Sequence, residues 1–305
     1  MPFRALKAFA ATFAYLSQHW PTLLKSMWLP ALFVAGLQLY AAPGLLSAFA
    51  GLALLGPNPE PDKAAAAISG LGGSVIWFVV AGFLFFPMLT VASLRHIVRG
   101  EEPRLPFYFA FGADETRVMA ANFLFNLMIV VIAIIGEIVV GVLVALTGLI
   151  GPAAGATVKS LASLALNLVT GWFQARLSPL FPAVLATRSL GFGDAWNATR
   201  RGWLAVIVFW ILIGLVIVPA IVILLLPAIL PAAAEFGAAQ SGDAAATAAM
   251  LKKLADVLSP SAPQFWLTAA AIYGMTLFVN AVVNTASAVV WRYLGPDSDQ
   301  ESAAS

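Results

Sequence analysis

No cysteine occurs in the 305 residues, which excludes disulfides, thiolate metal sites and thiol nucleophiles. Histidine is nearly as scarce. His19 and His96 are the only two, neither lies within an apolar run, and no His-Glu-x-x-His pair is present, so a zinc hydrolase finds no support. Charge is sparse as well: 10% of the residues are charged and 61% hydrophobic, less than half the charged share of about 25% in a soluble domain. Water cannot be the only solvent for such a chain.

Apolar runs stand where charge is missing. Several exceed the roughly 20 residues that cross a bilayer core, and short polar segments separate them. The expected fold is all-α, a polytopic transmembrane helical bundle of about six spans in one domain over about 1–295. The spans fall at about 27–51, 69–95, 118–147, 158–187, 203–230 and 264–291, and a polar tail over 296–305 is expected to be disordered. Residues 3–20 place Phe9, Phe13, Leu16 and Trp20 on one helical face, with Arg4, Lys7 and Gln18 elsewhere, which predicts a separate amphipathic helix at the interface. Lys25 and Ser47 to Ala50 imitate parts of a secretory signal, but the basic region before the run is too long and too amphipathic for one.

Basic residues assign sides. Eleven lysines and arginines lie before span one, between spans two and three, between four and five, and after six; four (Lys63, Lys159, Lys252 and Lys253) fall on the other side, and Arg176 sits inside a span. The positive-inside rule then places both termini in the cytoplasm. Each odd-numbered span follows an aromatic-bearing amphipathic stretch, at 13–20, 107–117 and 192–203. A weak threefold repeat of hairpins with cytoplasmic amphipathic helices between them would follow, although any loop near lipid tends to the same composition.

Several chemical signatures fail on inspection. Gly191-Phe192-Gly193-Asp194 matches the Gly-x-Gly-Asp of intramembrane aspartyl proteases, but no second span aspartate exists to share its proton. Asp194 reads instead as the N-cap of a short helix. Gly70 to Gly73 lacks the lysine of a phosphate loop. The six-span plan resembles mitochondrial carriers, yet their Pro-x-Asp/Glu-x-x-Lys/Arg signature is absent.

Polar residues inside the spans are the remaining candidates. Asn167, Thr170, Gln174 and Ser178 make one face of span four polar; Asn122 and Asn126 are one turn apart, as are Asn280 and Asn284. At about 1.5 Å per residue, Arg176, Asn126, Asn280 and Asn284 fall roughly 10 to 16 Å from the cytoplasmic edge and could share one layer. Amides that merely hold helices together in lipid account for the asparagines equally well. Arg176 is expected to face the bundle, satisfied by Asn280, Asn284 or carbonyls freed by Pro179 and Pro182, because a lipid-facing cation costs at least about 2.5 kcal/mol. Glu137, the one acid deep in a span, would have to bridge roughly 9 Å of depth to reach it. Beyond span five, an outer helix over about 243–258 is expected, capped by Ser241 or Asp243, with Met250, Leu251, Leu254, Val257 and Leu258 as its apolar face.

The stretch from Arg176 to Trp203 gathers the arginine, prolines and tryptophans that the chain otherwise rations. Its Arg176-x-Ser178 followed by Pro182-Ala183, then Ala195-Trp196 and Thr199-Arg200 on a short helix, then Gly202-Trp203 opening a span, resembles the glycerophosphoryl diester phosphodiesterase membrane-domain superfamily. That resemblance implies a bacterial inner-membrane protein of about this helix count. Arg201-Gly202 stands where members often have Gly-Asn, and nothing resembles the soluble phosphodiesterase barrel, so the activity in the family name does not carry over. Asp194, Trp196, Thr199, Arg200 and Trp203 form its interfacial motif, with Trp196 expected flat among headgroups.

The residues therefore point to a non-enzymatic membrane component without cofactor or metal. Its partners would be membrane lipids, a membrane-protein partner or a second copy of the chain, and not nucleic acid. The alternative is a small-solute transporter or permease whose cavity is the polar layer around Arg176.

Overall fold

The computed structural model describes residues 3–55, 61–102, 110–149, 151–239 and 243–296, and among them every regular element is helical. Six helical stretches are long and apolar enough to cross a membrane: Ala5–Ala53, Ala64–Arg99, Ala113–Gly148, Ala153–Thr187, Trp203–Pro227 and Phe265–Leu294. The protein is an all-α, multi-pass integral membrane protein.

The first element, α1 (Ala5–Ala53), is one helix of 49 residues. At 1.5 Å per residue it is about 73 Å long, more than twice the roughly 30 Å hydrocarbon core. The separate amphipathic helix expected over 3–20 is thus corrected: it continues into the first span. Between Trp20 and Met27 the only breaker is Pro21, whose missing N–H removes a single hydrogen bond. Packing supplies the rest. Ala8, Thr12, Leu16, Leu23 and Met27 are buried, and Phe3 sits edge-on to Phe209 at 5.9 Å and to Tyr293 at 6.1 Å. This end of the chain rests on protein.

The second span combines α2 (Pro61–Val80), a π-helical turn at Ala81–Phe85 and α3 (Phe86–Arg99). It stops at Gly100, whose φ of 65° lets its N–H reach the carbonyl of His96 and the Glu101 N–H that of Arg95, a Schellman-type end. Next come α4 (Ala113–Gly148) and α5 (Pro152–Arg176), a hairpin. A Cβ on Gly136 would run into Leu166, and one on Gly155 would lie 3.5 Å from the Gly148 Cα; small residues let these two backbones approach. Beyond Asn126, Val140 is the only buried residue of α4. This part of the hairpin contacts its own partner helix and otherwise faces outward.

Span four is interrupted by the turn Leu177–Pro179 before α6 (Leu180–Thr187). A seven-residue α7 (Phe192–Ala198) leads to α8 (Trp203–Ile229), which keeps Pro219 and Pro227 inside the helix. Of the three expected amphipathic helices between hairpins, α7 alone is a separate element among the described residues. Residues 107–109 lie outside them, and 113–117 form the first turns of α4.

A short 3-10 turn and α9 (Ala233–Ala239) precede α10 (Ala244–Val257), whose Asp243 cap accepts the Ala245 N–H at 2.9 Å. Ser241, the other expected cap, is outside the described residues. Helix α10 packs on α1 with Ala248, Ala255 and Val257 buried, so it covers protein. Lys253 holds it to Glu235 at 2.6 Å, and the hydrogen bond from Lys253 keeps that carboxyl below the usual carboxylate range. The last helix is α11 (Phe265–Leu294). The core gathers where α1, α3, α6 and α11 meet, around Leu23, Leu89, Leu94, Val184, Val282 and Val290.

Candidate functional site

Arg176 ends α5 and is 5% exposed. Its guanidinium meets neither asparagine of α11 nor a proline-freed carbonyl, which corrects the expected partners. Nη2 donates to the carbonyl of Trp196 at 2.7 Å, and Cζ lies 4.1 Å from the centroid of the Trp196 ring and 5.9 Å from that of Trp172. In return the Thr199 hydroxyl donates to the Arg176 carbonyl at 2.8 Å. The cause is the short helix α7, which folds back over the end of α5. Its C-terminal carbonyls carry the negative end of the helix dipole, and its tryptophan offers a π face that attracts a cation.

Trp196 is half-buried and docked on protein. Its ring packs on Trp172 at 5.4 Å and Phe173 at 5.3 Å. Asp194 is also corrected, being a first-turn residue of α7 whose N-cap is Gly191. Gly191 has φ 69°, and a Cβ there would fall 2.9 Å from the Val184 amide nitrogen, so glycine is required by both backbone and space. Arg200 is exposed, and Trp203 is the half-buried first residue of α8.

The amides are distributed among separate ties. Asn122 donates to the Gly82 carbonyl at 3.3 Å, in the π turn where the regular ladder is displaced. Asn126 donates back to Asn122, Asn280 to the Thr276 carbonyl of its own helix, and Asn284 to the Ser93 hydroxyl of α3 at 2.8 Å. No single layer joins them to Arg176. Glu137 is exposed on the outer part of the α4–α5 hairpin and has no ion pair among the described residues.

Three of the expected residues do converge. Asn167 and Gln174 of α5 and Asn284 of α11 line a cleft of about 610 Å³ between α5, α8 and α11, within the size range of small-molecule sites. Phe86, Phe125, Phe181 and Ile207 make its walls largely apolar, and Leu168 and Ile211, 65% and 57% exposed, stand at its outer side. Two polar atoms in its lining, the Ser178 hydroxyl and the Trp210 indole N–H, are buried with no hydrogen-bond partner among the described residues. Each such donor costs about 1 to 3 kcal/mol unless something accepts from it. Ser178 belongs to the polar stripe visible in span four. Trp210 went unread, although an indole in the middle of an apolar run is itself a signal, because its N–H needs an acceptor.

A charged cluster ties α3, α4 and α6. Asp114 accepts from Arg95 at 3.0 Å, Arg99 at 2.8 Å and Arg117 at 3.2 Å. Arg95 also reaches the fully buried Glu115 at 3.3 Å, and Arg99 donates to the Leu185 carbonyl at 2.6 Å. Sequence reading used these arginines for topology alone. Two arginines ending one helix, with Asp-Glu opening the next, were the available sign of the cluster.

Comparison with protein-family models, curated proteins and solved structures finds no match. Among the described residues no group of three or more acidic or histidine side chains is placed to hold a metal ion.

Proposed function

We propose that this protein is a non-enzymatic lipid-interacting component of a bacterial inner membrane, and that the cleft between α5, α8 and α11 admits part of a lipid from the bilayer. The carrying observation is the cleft itself: apolar walls, exposed Leu168 and Ile211 at its outer side, and two orphaned donors in its lining. An acyl chain suits the walls, and an ester carbonyl would accept from Trp210 or Ser178. Membership of the glycerophosphoryl diester phosphodiesterase membrane-domain superfamily is part of this reading, resting on the 176–203 motif. Cytoplasmic termini are another part, resting on the eleven-to-four distribution of basic residues. The transporter alternative was built on Arg176 in a polar cavity; Nη2 and the face of its guanidinium meet Trp196, while Nε is buried with no hydrogen-bond partner among the described residues.

Gly171 tests the cleft. It lines the space and a Cβ there meets nothing within 4 Å, so Gly171→Trp is expected to narrow the cleft, with an unchanged unfolding midpoint as the check that the fold is kept. Phospholipid carrying a photoactivatable acyl chain should crosslink to residues 167–175 and 207–211 in the parent protein, and several-fold less in Gly171→Trp. Crosslinks spread evenly over the outward faces, and indifferent to the substitution, would refute the proposal.

A further inference from the structure

A second cleft lies at the end of the bundle where the basic residues gather. About 660 Å³ is enclosed by Ala11 and Tyr15 of α1, the C-terminal turn of α3, the end of α6 and the last turns of α11. Ile97, Val98, Leu185 and Val289 contribute an apolar part of a lining that is also polar. Three arginines line it: Arg99, Arg188 and Arg292.

Their charges are not equivalent. Arg95, Arg99 and Arg117 meet Asp114, Glu115 and Glu101, three cations with three acids, so that cluster is neutral within itself. Arg188 and Arg292 are exposed and have no acidic partner among the described residues. The nearby acid Glu102, 77% exposed, approaches His96 at 4.0 Å. Helix C-termini bring partial negative charge to this end, but it fades within a turn. The ends of α3 and α6 are further quieted by the Gly100 cap and by Arg99 on the Leu185 carbonyl. Among the described residues a net positive charge remains, centred on Arg188 and Arg292.

The backbone gives an independent sign. Arg188 caps α6 with φ 54°, the one non-glycine residue with positive φ among those described. A left-handed residue with a Cβ costs about 1 to 2 kcal/mol, and helices that end this way usually do so on glycine, as α3 does at Gly100. Strain of this kind persists where the side chain is needed.

We infer that this cleft binds a phosphate ester, with Arg188 and Arg292 on the oxyanion and the apolar part of the lining against the group that carries it. Guanidinium pairs phosphate oxygens in a two-pronged fork, which lysine cannot do. Tyr15 lines the same space, and a phenolic hydroxyl can donate to a phosphate oxygen. Basic pockets between membrane helices take phospholipid headgroups by this chemistry. The site is distinct from the α5–α8–α11 cleft and does not rest on that cleft's holding lipid: narrowing the latter with Gly171→Trp leaves Arg188 and Arg292 untouched.

The test compares the whole protein with Arg188→Gln/Arg292→Gln, and with Lys7→Gln/Lys25→Gln, which removes the same charge from exposed residues outside the cleft. In detergent, phosphatidylglycerol retained by the protein in native mass spectrometry should fall at least tenfold in the cleft variant and less than twofold in the control. Inorganic phosphate, added at millimolar concentration in a thermal-shift assay, separates the sources. Stabilisation that the cleft variant loses assigns a soluble phosphate ester; retention of lipid without any phosphate effect assigns a headgroup. Arg188→Gly adds a readout of opposite sign, since ligand-free stability should rise as strain is relieved while retention falls. Equal loss in the cleft and control variants, or neither phosphatidylglycerol nor phosphate bound, overturns the inference.

Discussion

Arg176 shows how a cation is kept in an apolar bundle without a carboxylate. Burying an ion costs several kcal/mol even after relaxation, and here the offset comes from one carbonyl and an indole face, with Thr199 closing the loop on the backbone. Cation–π contacts reach about 2 kcal/mol or more when desolvated. A double-mutant cycle of Arg176→Met and Trp196→Leu should therefore return a coupling of about 1 to 2 kcal/mol in thermal or denaturant unfolding in detergent. Zero coupling would mean that the ring is only a neighbour. That a buried arginine needs polar company follows from its position in the sequence. Its particular partner does not, because helical periodicity put Trp196 on a lipid-facing stripe, and only the αL turn at Gly191 turns α7 back onto α5. Asn280 and Asn284 were misassigned for a related reason. Amides one turn apart are as ready to bond their own helix, or a serine of the next one, as a distant charge.

Among the elements, the junction of α3, α4 and α6 carries the densest electrostatics. Asp114 is the common acceptor for three arginines, so Asp114→Asn removes the carboxylate they share, leaving Glu115 beside Arg95 and Glu101 beside Arg99. These pairs are part-buried, so breaking them should cost less than the about 3 to 5 kcal/mol of a fully buried pair, and the unfolding midpoint of Asp114→Asn should drop measurably. Glu137→Gln, on the outer part of the hairpin, should leave it nearly unchanged. If the two variants behaved alike, the cluster would be ornamental to stability. Spans were legible as elements because their apolar runs exceed the bilayer thickness, and the break at 177–179 was legible from Pro179 and Pro182. Helix α1 was not. Its amphipathic start looks like an interfacial helix from composition alone, and only the burial of Leu16, Leu23 and Met27 against other helices shows that the chain never turns there.

At the scale of the whole molecule, the cysteine-free chain makes its orientation measurable. Single cysteines at positions 63 and 252 should react with an impermeant reagent in intact cells, and those at 101, 197 and 299 should not. Reaction at 101 would invert the topology. The six-span bundle could be read from the sequence because lipid imposes one rule on every backbone group. The two clefts could not, since each depends on where helices distant in sequence diverge. One divergence has a mechanical side. Beyond Asn126, α4 buries only Val140 and has α5 as its main neighbour, while at the other end Asn122 and Asp114 fasten the hairpin to α3 and its π turn. It is a cantilever, clamped at one membrane face and free at the other. About 54 Å of helix exceeds the roughly 30 Å hydrocarbon core, so tilt is the natural way to fit it to the bilayer. Because the clamp is at one face, tilt moves the far end of the hairpin most and the cleft least, since Phe125 and residues 167–178, which line the cleft, sit beside the clamp.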